Sequence, residues 1–191
     1  MIVFNEGGVE SKRADEKNFY RDEAGFTLIE ALVVMVVGVA VLAGAAAGIG
    51  RLFSASNVTT EAQNITMIAA NVKGMKDGPN GYTALSNGTA LKFKAIPENM
   101  TISGENITNL WNGAVTLTPT NSGKSFNIAY ASVPADACKQ IALKLKGGGW
   151  EKLAAGKKGD TEIKPSAGLA DIDAACADKD GAGVTMTFTS K

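Results

Sequence analysis

The sequence predicts an α+β protein in which one long N-terminal helix packs on an antiparallel β-sheet. Residues 31–50 are apolar and carry no charge, and Arg51 ends this run. From there to about Met75, apolar residues recur at alternating steps of three and four, the spacing of an amphipathic helix. Three later segments alternate with period two, as half-buried strands do: Ala114–Thr118, Ser125–Ala131 and Val184–Thr189. Helix and strands are thus segregated along the chain, which favours α+β over alternating α/β architecture.

The composition excludes several classes of function. The chain has 191 residues, enough for one domain and an anchoring segment. Its 19 basic residues balance 19 acidic ones, so the charge indicates no nucleic-acid partner. Histidine, the commonest general base and transition-metal ligand, is absent. Its absence excludes serine triads and histidine-bearing zinc sites. We therefore predict no catalytic residue, no metal site and no cofactor.

The apolar run predicts a membrane-spanning helix. A helix over residues 31–50 is about 30 Å long, which matches the hydrocarbon core of a bilayer. A buried soluble helix is the alternative, but such helices rarely stay uncharged over this length. A cleaved secretory signal has a shorter apolar core and a cut after it. The other place for a cut is before the run, between Gly25 and Phe26, which makes the apolar helix the new N-terminus.

The segment Gly25-Phe26-Thr27-Leu28-Ile29-Glu30, followed by a long apolar helix, resembles the prepilin-peptidase site of type IV prepilins and type II secretion pseudopilins. The resemblance implies that residues 1–25 are a leader, that cleavage follows Gly25, and that Phe26 is N-methylated. It also implies a role for Glu30. An unpaired carboxylate in hydrocarbon costs several kcal/mol. Pairing with the terminal ammonium of a neighbouring subunit relieves that cost and sets the register of assembly; simple hydration of Glu30 at the membrane interface is the alternative.

The predicted helix has an apolar half over residues 26–53 and an amphipathic half over residues 54–76. Gly44 and Gly48 form a small-xxx-small pair, which allows helices to approach closely. In the second half, one stripe is predicted to pack on a soluble domain: Val58, Ala62, Ile65, Ala69 and Val72. Polar residues are predicted to take the other faces: Asn57, Thr60, Glu61, Asn64 and Asn71. Gly74, Gly78 and Pro79 stop the helix.

Residues 77–113 are predicted to be a loop-rich connection with small local elements, and residues 114–191 to carry the sheet. After the strand hairpin, Pro134 and Asp136 indicate a helix start. That helix runs to about Lys146, with Cys138, Ile141, Ala142 and Leu145 on one face. A loop with a short helix over Asp171–Ala177 then leads to the last strand.

Cys138 and Cys176 are the two cysteines of the chain. In an exported protein an even pair predicts one disulfide, and closing this loop stabilises by roughly 3–4 kcal/mol on the chain-entropy model. Two unrelated buried thiols are the alternative. In type IV pilins, which this order of elements also resembles, a late disulfide brackets the so-called D-region. The helix before Cys138 and the final strand most resemble the type IVb group, which includes bundle-forming, toxin-coregulated and conjugative thin-pilus subunits.

The resemblance implies a structural function: a subunit that polymerises into a helical filament through its apolar helices. Its partners would be further copies of the chain, the prepilin peptidase and methylase, and the inner-membrane assembly machinery. Its location would be the bacterial inner membrane before assembly and an extracellular pilus afterwards.

Two other functions stay open at this point. One is a minor pilin or pseudopilin, since pseudopilins often carry a calcium-binding acidic loop; a short helix with a solvated turn explains the same acids, Asp171, Asp173, Asp178 and Asp180. The other is a single-span, membrane-anchored binding protein. Its candidate site is a basic patch for DNA or an acidic surface, although a solvated face explains the same lysines better: Lys144, Lys146, Lys152, Lys157 and Lys158.

Overall fold

The computed structural model describes the backbone of residues 27–191 and the side chains of residues 27–44 and 54–191. The chain divides into two compact units, one ending at Ala45 and one running from Ala46 to Lys191. Helix α1 (Leu28–Lys73) is continuous in sequence across this division and ends at Gly74, so the prediction of one long helix is confirmed.

The second unit contains the sheet and three shorter helices. The helices are α2 (Asn87–Lys92), α3 (Ala135–Leu145) and α4 (Leu169–Ala175). The strands are β1 (Thr101–Ser103), β2 (Asn106–Thr108), β3 (Ala114–Thr120), β4 (Ser125–Val133), β5 (Lys152–Gly156), β6 (Thr161–Glu162) and β7 (Val184–Ser190). They form one antiparallel sheet in the order β1-β2-β3-β4-β7-β5-β6.

The core of the second unit lies between the amphipathic half of α1 and the inner face of the sheet. The predicted stripe from Val58 to Val72 is buried, as are Phe126, Ile128 and Tyr130 of β4. Val184, Met186 and Phe188 of β7 join the same core, so the period-two prediction for the last strand is confirmed. Burial of these side chains is the main term that stabilises the unit, at about 1.5–3 kcal/mol for each large apolar side chain.

Two of the polar residues predicted on the other faces of α1 are instead buried. Glu61 is 1% exposed and Asn64 is 3% exposed. Both lie next to the apolar stripe on the helix surface. The packing of residues 54–191, which we call the head, extends over them. The periodicity of α1 alone therefore underestimates the width of its buried face.

The prediction of a loop between α3 and the last short helix is wrong. Residues Lys152–Gly156 form β5, which pairs with β7 through Leu153↔Phe188 and Ala155↔Met186. Leu153, Ala154 and Ala155 are all apolar and all buried. The sequence here therefore lacks the alternation of apolar and polar residues that would predict a strand. Alanine also has low intrinsic strand preference, and it is pairing with β7 that decides the conformation here.

The helices that carry the cysteines begin and end close to their predicted bounds. Helix α3 follows Pro134 and buries Cys138, Ile141 and Ala142. Helix α4 begins two residues earlier than predicted, because Asp171 Oδ2 accepts a hydrogen bond from the Gly168 amide at 2.9 Å and closes the first turn. Cys176 follows directly after α4.

Candidate functional site

Thr27 caps the N-terminal end of α1. The amide of Glu30 donates to the Thr27 carbonyl at 2.9 Å and lies 3.4 Å from Thr27 Oγ1. Threonine followed three residues later by glutamate is the sequence signature of a helix N-cap, and this signal alone could have predicted the start. Thr27 thus sets the start of the helix one turn before the first residues of the apolar run.

The side chains of α1 that follow form an apolar surface that is exposed in the part of the chain that the structure describes. Leu28 is 92% exposed, and the large apolar residues from Ile29 to Leu42 are all more than half exposed. A surface of this extent is not stable in water and indicates contact with lipid or with other protein chains. The Glu30 side chain is exposed among them, and within the described residues its carboxylate forms no hydrogen bond or ion pair.

The glycines of this helix leave its backbone open to close approach. A Cβ added at Gly38 or Gly44 would meet no atom within 4 Å. Gly44 is thus free to contact a neighbouring helix. Gly48, its predicted partner, lies outside the described side chains, and Gly25 and Phe26 lie outside the described residues. In the part of the chain that the structure describes, no helix is both long and apolar enough to cross a membrane.

The two cysteines form the predicted disulfide. Cys138 of α3 and Cys176 after α4 are bonded with a Cα–Cα distance of 5.7 Å, and both are fully buried. On the surface above them, Lys139 Nζ lies 2.6 Å from Asp173 Oδ1. The hydrogen bond to Asp173 raises the pKa of Lys139. A covalent bond and an ion pair therefore join α3 to α4.

The acids considered as a calcium loop each have a separate structural role. Asp171 caps α4, and Asp173 pairs with Lys139. Asp178 accepts hydrogen bonds from the amides of Asp180 and Gly183, and Asp180 pairs with Lys157. Within the described residues, no group of three or more candidate ligands converges on a metal position.

The lysines considered as a basic patch are not grouped at one place, and two of them bind partners of their own. Lys146 Nζ donates to the Ala167 carbonyl at 2.8 Å, and Lys157 pairs with Asp180. Lys144 lies near the end of α3, whereas Lys152 and Lys158 border one surface depression that is also lined by acids: Glu151, Asp160 and Glu162. These contacts favour the interpretation as a solvated face.

Sequence reasoning missed a buried acid at the centre of the head. Glu61 Oε1 accepts a hydrogen bond from the Leu110 amide at 2.7 Å, and Glu61 Oε2 accepts one from Asn64 Nδ2 at 3.3 Å. Burial raises the pKa of the Tyr130 phenol well above its ordinary value, and the charge of Glu61 and a hydrogen bond to it raise that pKa further. A single glutamate beside an apolar helix stripe is too common a pattern to have predicted this arrangement.

Comparison with family models places two matches along the chain. The model described as PilS N terminal matches residues 55–191, and the model of the prokaryotic N-terminal methylation motif matches residues 20–46. Together they cover the apolar half of α1 as far as residue 46 and the chain from residue 55 to its last residue. No curated protein sequence matches the chain.

Two solved structures share the fold of the head. The type IVb pilin from Salmonella typhi is 23% identical, with a TM-score of 0.56, and the match covers 68% of this chain and 97% of that one. TcpA, a type IV pilin from Vibrio cholerae El Tor, is 17% identical, with a TM-score of 0.51, and the match covers 71% of this chain and 99% of that one. At these identities the similarity establishes the common fold.

Proposed function

Because the chain belongs to the PilS family of type IV pilins, of the IVb kind, we propose that it is the major structural subunit of a type IV pilus. The observation that carries this proposal is the methylation motif over residues 20–46, which leads into a helix whose apolar side chains are exposed from Leu28 to Leu42. Copies of such a helix bury one another's apolar surface when they bundle. A head-to-tail contact of this kind does not close on itself and builds a fibre.

We propose that the leader, residues 1–25, is removed by the prepilin peptidase, which also methylates Phe26. The motif match supports this processing step, because it includes Gly25, Phe26 and Glu30. Before assembly the apolar segment, residues 26–53, holds the subunit in the inner membrane. The assembly machinery then extracts it into an extracellular filament.

Glu30 is proposed to pair with the N-terminal ammonium of the neighbouring subunit. Its support is geometric: the carboxylate is on the first turn of α1, on an apolar surface, and has no partner within the described residues. In a bundle of such helices it would be desolvated, and an opposite charge offsets that cost. Gly44 and Gly48 are proposed to allow close packing of the same helices.

The experiment that tests the function is the isolation of material sheared from the cell surface. The expected result is fibrous material in which this chain predominates and begins at N-methylated Phe26, as read by N-terminal sequencing and intact mass. If the sheared fibres contain this chain only in trace amounts, a minor pilin or a pseudopilin becomes the better description. If the chain stays in the membrane fraction with residues 1–25 attached, the proposed function is wrong.

A further inference from the structure

Glu61 joins three parts of the head that are distant in sequence. Among the described side chains it is the one carboxylate that is buried, at 1% exposure. Its acceptors bind the Leu110 amide, 49 positions later, and Asn64 on the next turn of α1. The Tyr130 phenol of β4 also lies against it. A buried carboxylate with several donors is stable, but removal of its charge or of one donor is costly.

Leu110 belongs to a segment that is weakly held to the rest of the sheet. We define the flap as residues 101–113, which comprise β1, β2 and the turn that leads to β3. Strand β2 pairs with β3 only at Ile107↔Val115 and Thr108↔Ala114, whereas β3 pairs with β4 along its length from Val115 to Thr120. A short outer hairpin of this kind is expected to open more readily than the central strands.

Side chains make the remaining attachments of the turn. Asn109 Nδ2 donates to the Ala131 carbonyl at 2.8 Å, and Asn109 Oδ1 accepts from the amides of Trp111 and Gly113. These bonds shape the turn and tie its base to β4. Among the described residues, the bond from Leu110 to Glu61 is the one hydrogen bond that joins the turn to α1.

We propose that Glu61 is a latch that holds the flap closed on α1, and that the flap opens as a local unit when the latch is broken. Opening would expose Ile107, which is now buried, and the part of the β3 edge that β2 now covers, at Ala114 and Val115; Asn87 stays bonded to the Val115 carbonyl and the Leu117 amide. A free strand edge is a site where an extended segment of another chain can pair. The latch thus controls whether the head presents such an edge.

The chemistry of the latch depends on a carboxylate and not on shape alone. Two donors converge on it, from Leu110 and Asn64, and a carboxylate offers acceptors only. In the isosteric Glu61→Gln chain, one oxygen becomes an NH2 group that faces a donor. Adding Asn64→Asp restores the pattern. The new side-chain amide then donates to the new carboxylate one turn later, while the amide oxygen still accepts from Leu110.

The test is amide hydrogen exchange of the full chain, resolved at Asn109 and Leu110 and at the amides of β4 and β7. In Glu61→Gln we expect exchange at Leu110 to accelerate about tenfold or more, since the new NH2 group faces the Asn64 donor and displaces the side chain from its bond with Leu110, with the central strands unchanged. The double variant Glu61→Gln/Asn64→Asp is expected to recover most of the protection. The control Glu98→Gln, an exposed acid, should match the parent chain.

Unchanged exchange at Leu110 in Glu61→Gln would overturn the latch, as would a double variant that recovers nothing. The parent chain provides an independent readout in case Glu61→Gln fails to fold. There, exchange of the flap amides under native conditions should occur through an opening that leaves β4 and β7 protected. Exchange of the flap only together with the central strands would contradict the proposal whatever the variants do. Filament formation is not part of either readout, so the latch and the proposed function can fail separately.

Discussion

The side-chain amide of Asn87 takes the place of a neighbouring strand beside Leu117. Asn87 Oδ1 accepts a hydrogen bond from the Leu117 amide at 2.8 Å, and Asn87 Nδ2 donates to the Val115 carbonyl at 2.9 Å. Strand β2 ends its pairing with β3 at Val115, so the Leu117 amide beyond it would otherwise lack a partner on that side. The short helix α2 therefore covers an open sheet edge through one residue.

Replacement of Asn87 should destabilise the head. In Asn87→Ala the partly buried Leu117 amide loses its partner and the Val115 carbonyl loses one of its two, and we expect the free energy of unfolding to fall by about 1–3 kcal/mol. Chemical denaturation of the full chain measures this change, with the exposed Asn99→Ala as control. Asn87→Asp keeps the acceptor for Leu117 but not the donor, and should fall between the two. An Asn87→Ala chain as stable as the parent would show that water replaces the amide at no cost.

Removal of the disulfide should reduce stability by a larger amount. The bond between Cys138 and Cys176 closes a loop with a sequence separation of 38, which corresponds to about 3–4 kcal/mol on the chain-entropy model. We expect the Cys138→Ser/Cys176→Ser chain to unfold at lower denaturant concentration than the oxidised parent. A reductant should destabilise the parent and leave the double variant unchanged. Equal midpoints for the parent with and without reductant would contradict this account.

Removal of the Glu30 charge should impair assembly without unfolding the head. Both Glu30→Ala and Glu30→Gln lack the proposed partner for the terminal ammonium of the next subunit, and we expect at least about a tenfold loss of sheared filaments, the equivalent of ~1.4 kcal/mol. Glu98→Gln provides an exposed-acid control in the head. Electron microscopy and quantitative immunoblotting of sheared material measure the yield. Filaments at parental levels from either Glu30 variant would rule out the pairing.

Replacement of Gly25 should block processing. A bulky residue in Gly25→Leu is expected to prevent cleavage before Phe26, so that the chain accumulates with residues 1–25 attached. Intact mass of the membrane-extracted protein distinguishes the two forms. Gly8→Leu, within the same leader, should be processed normally. Efficient cleavage of Gly25→Leu would show that the site has been assigned to the wrong bond.

Tyr130 should make the head sensitive to alkaline pH. Its pKa in the folded state is raised well above the ordinary value of 10.0, so the folded state keeps a proton that the unfolded state loses. The stabilisation is fully present below about pH 10 and is lost as the pH rises through the folded pKa, at up to about 1.4 kcal/mol per pH unit.

Unfolding measured at a series of pH values from neutral to alkaline checks this dependence. Tyr130→Phe lacks the ionisable group and should lose stability less steeply above about pH 10. Tyr82→Phe is the matched control, because burial raises the pKa of Tyr82 as well, though by less. Identical alkaline slopes for the parent and Tyr130→Phe would contradict the prediction.

Much of this protein can be predicted from local patterns. The stripe from Val58 to Val72 predicts the buried face of α1, and the alternation of Val184, Met186 and Phe188 predicts the inner face of β7. The motif from Gly25 to Glu30 predicts the family, because it lies within one short stretch of chain that a family model matches. These features depend on residues close together in sequence, where the helical period, the strand period and a cleavage motif are directly visible.

Other features exist only once distant segments meet. Strand β5 has no alternation of its own and becomes a strand because β7 lies beside it. The order of the sheet, with β7 between β4 and β5, is likewise set by packing. The sequence pattern places Glu61 on a solvated face of α1, yet the head buries it because the Leu110 amide and the Asn64 side chain satisfy its oxygens. The sequence by itself determined the long helix, the strands that alternate with period two and the family motif; the tertiary structure alone decided which polar groups could be buried, since burial requires partners that local sequence does not contain.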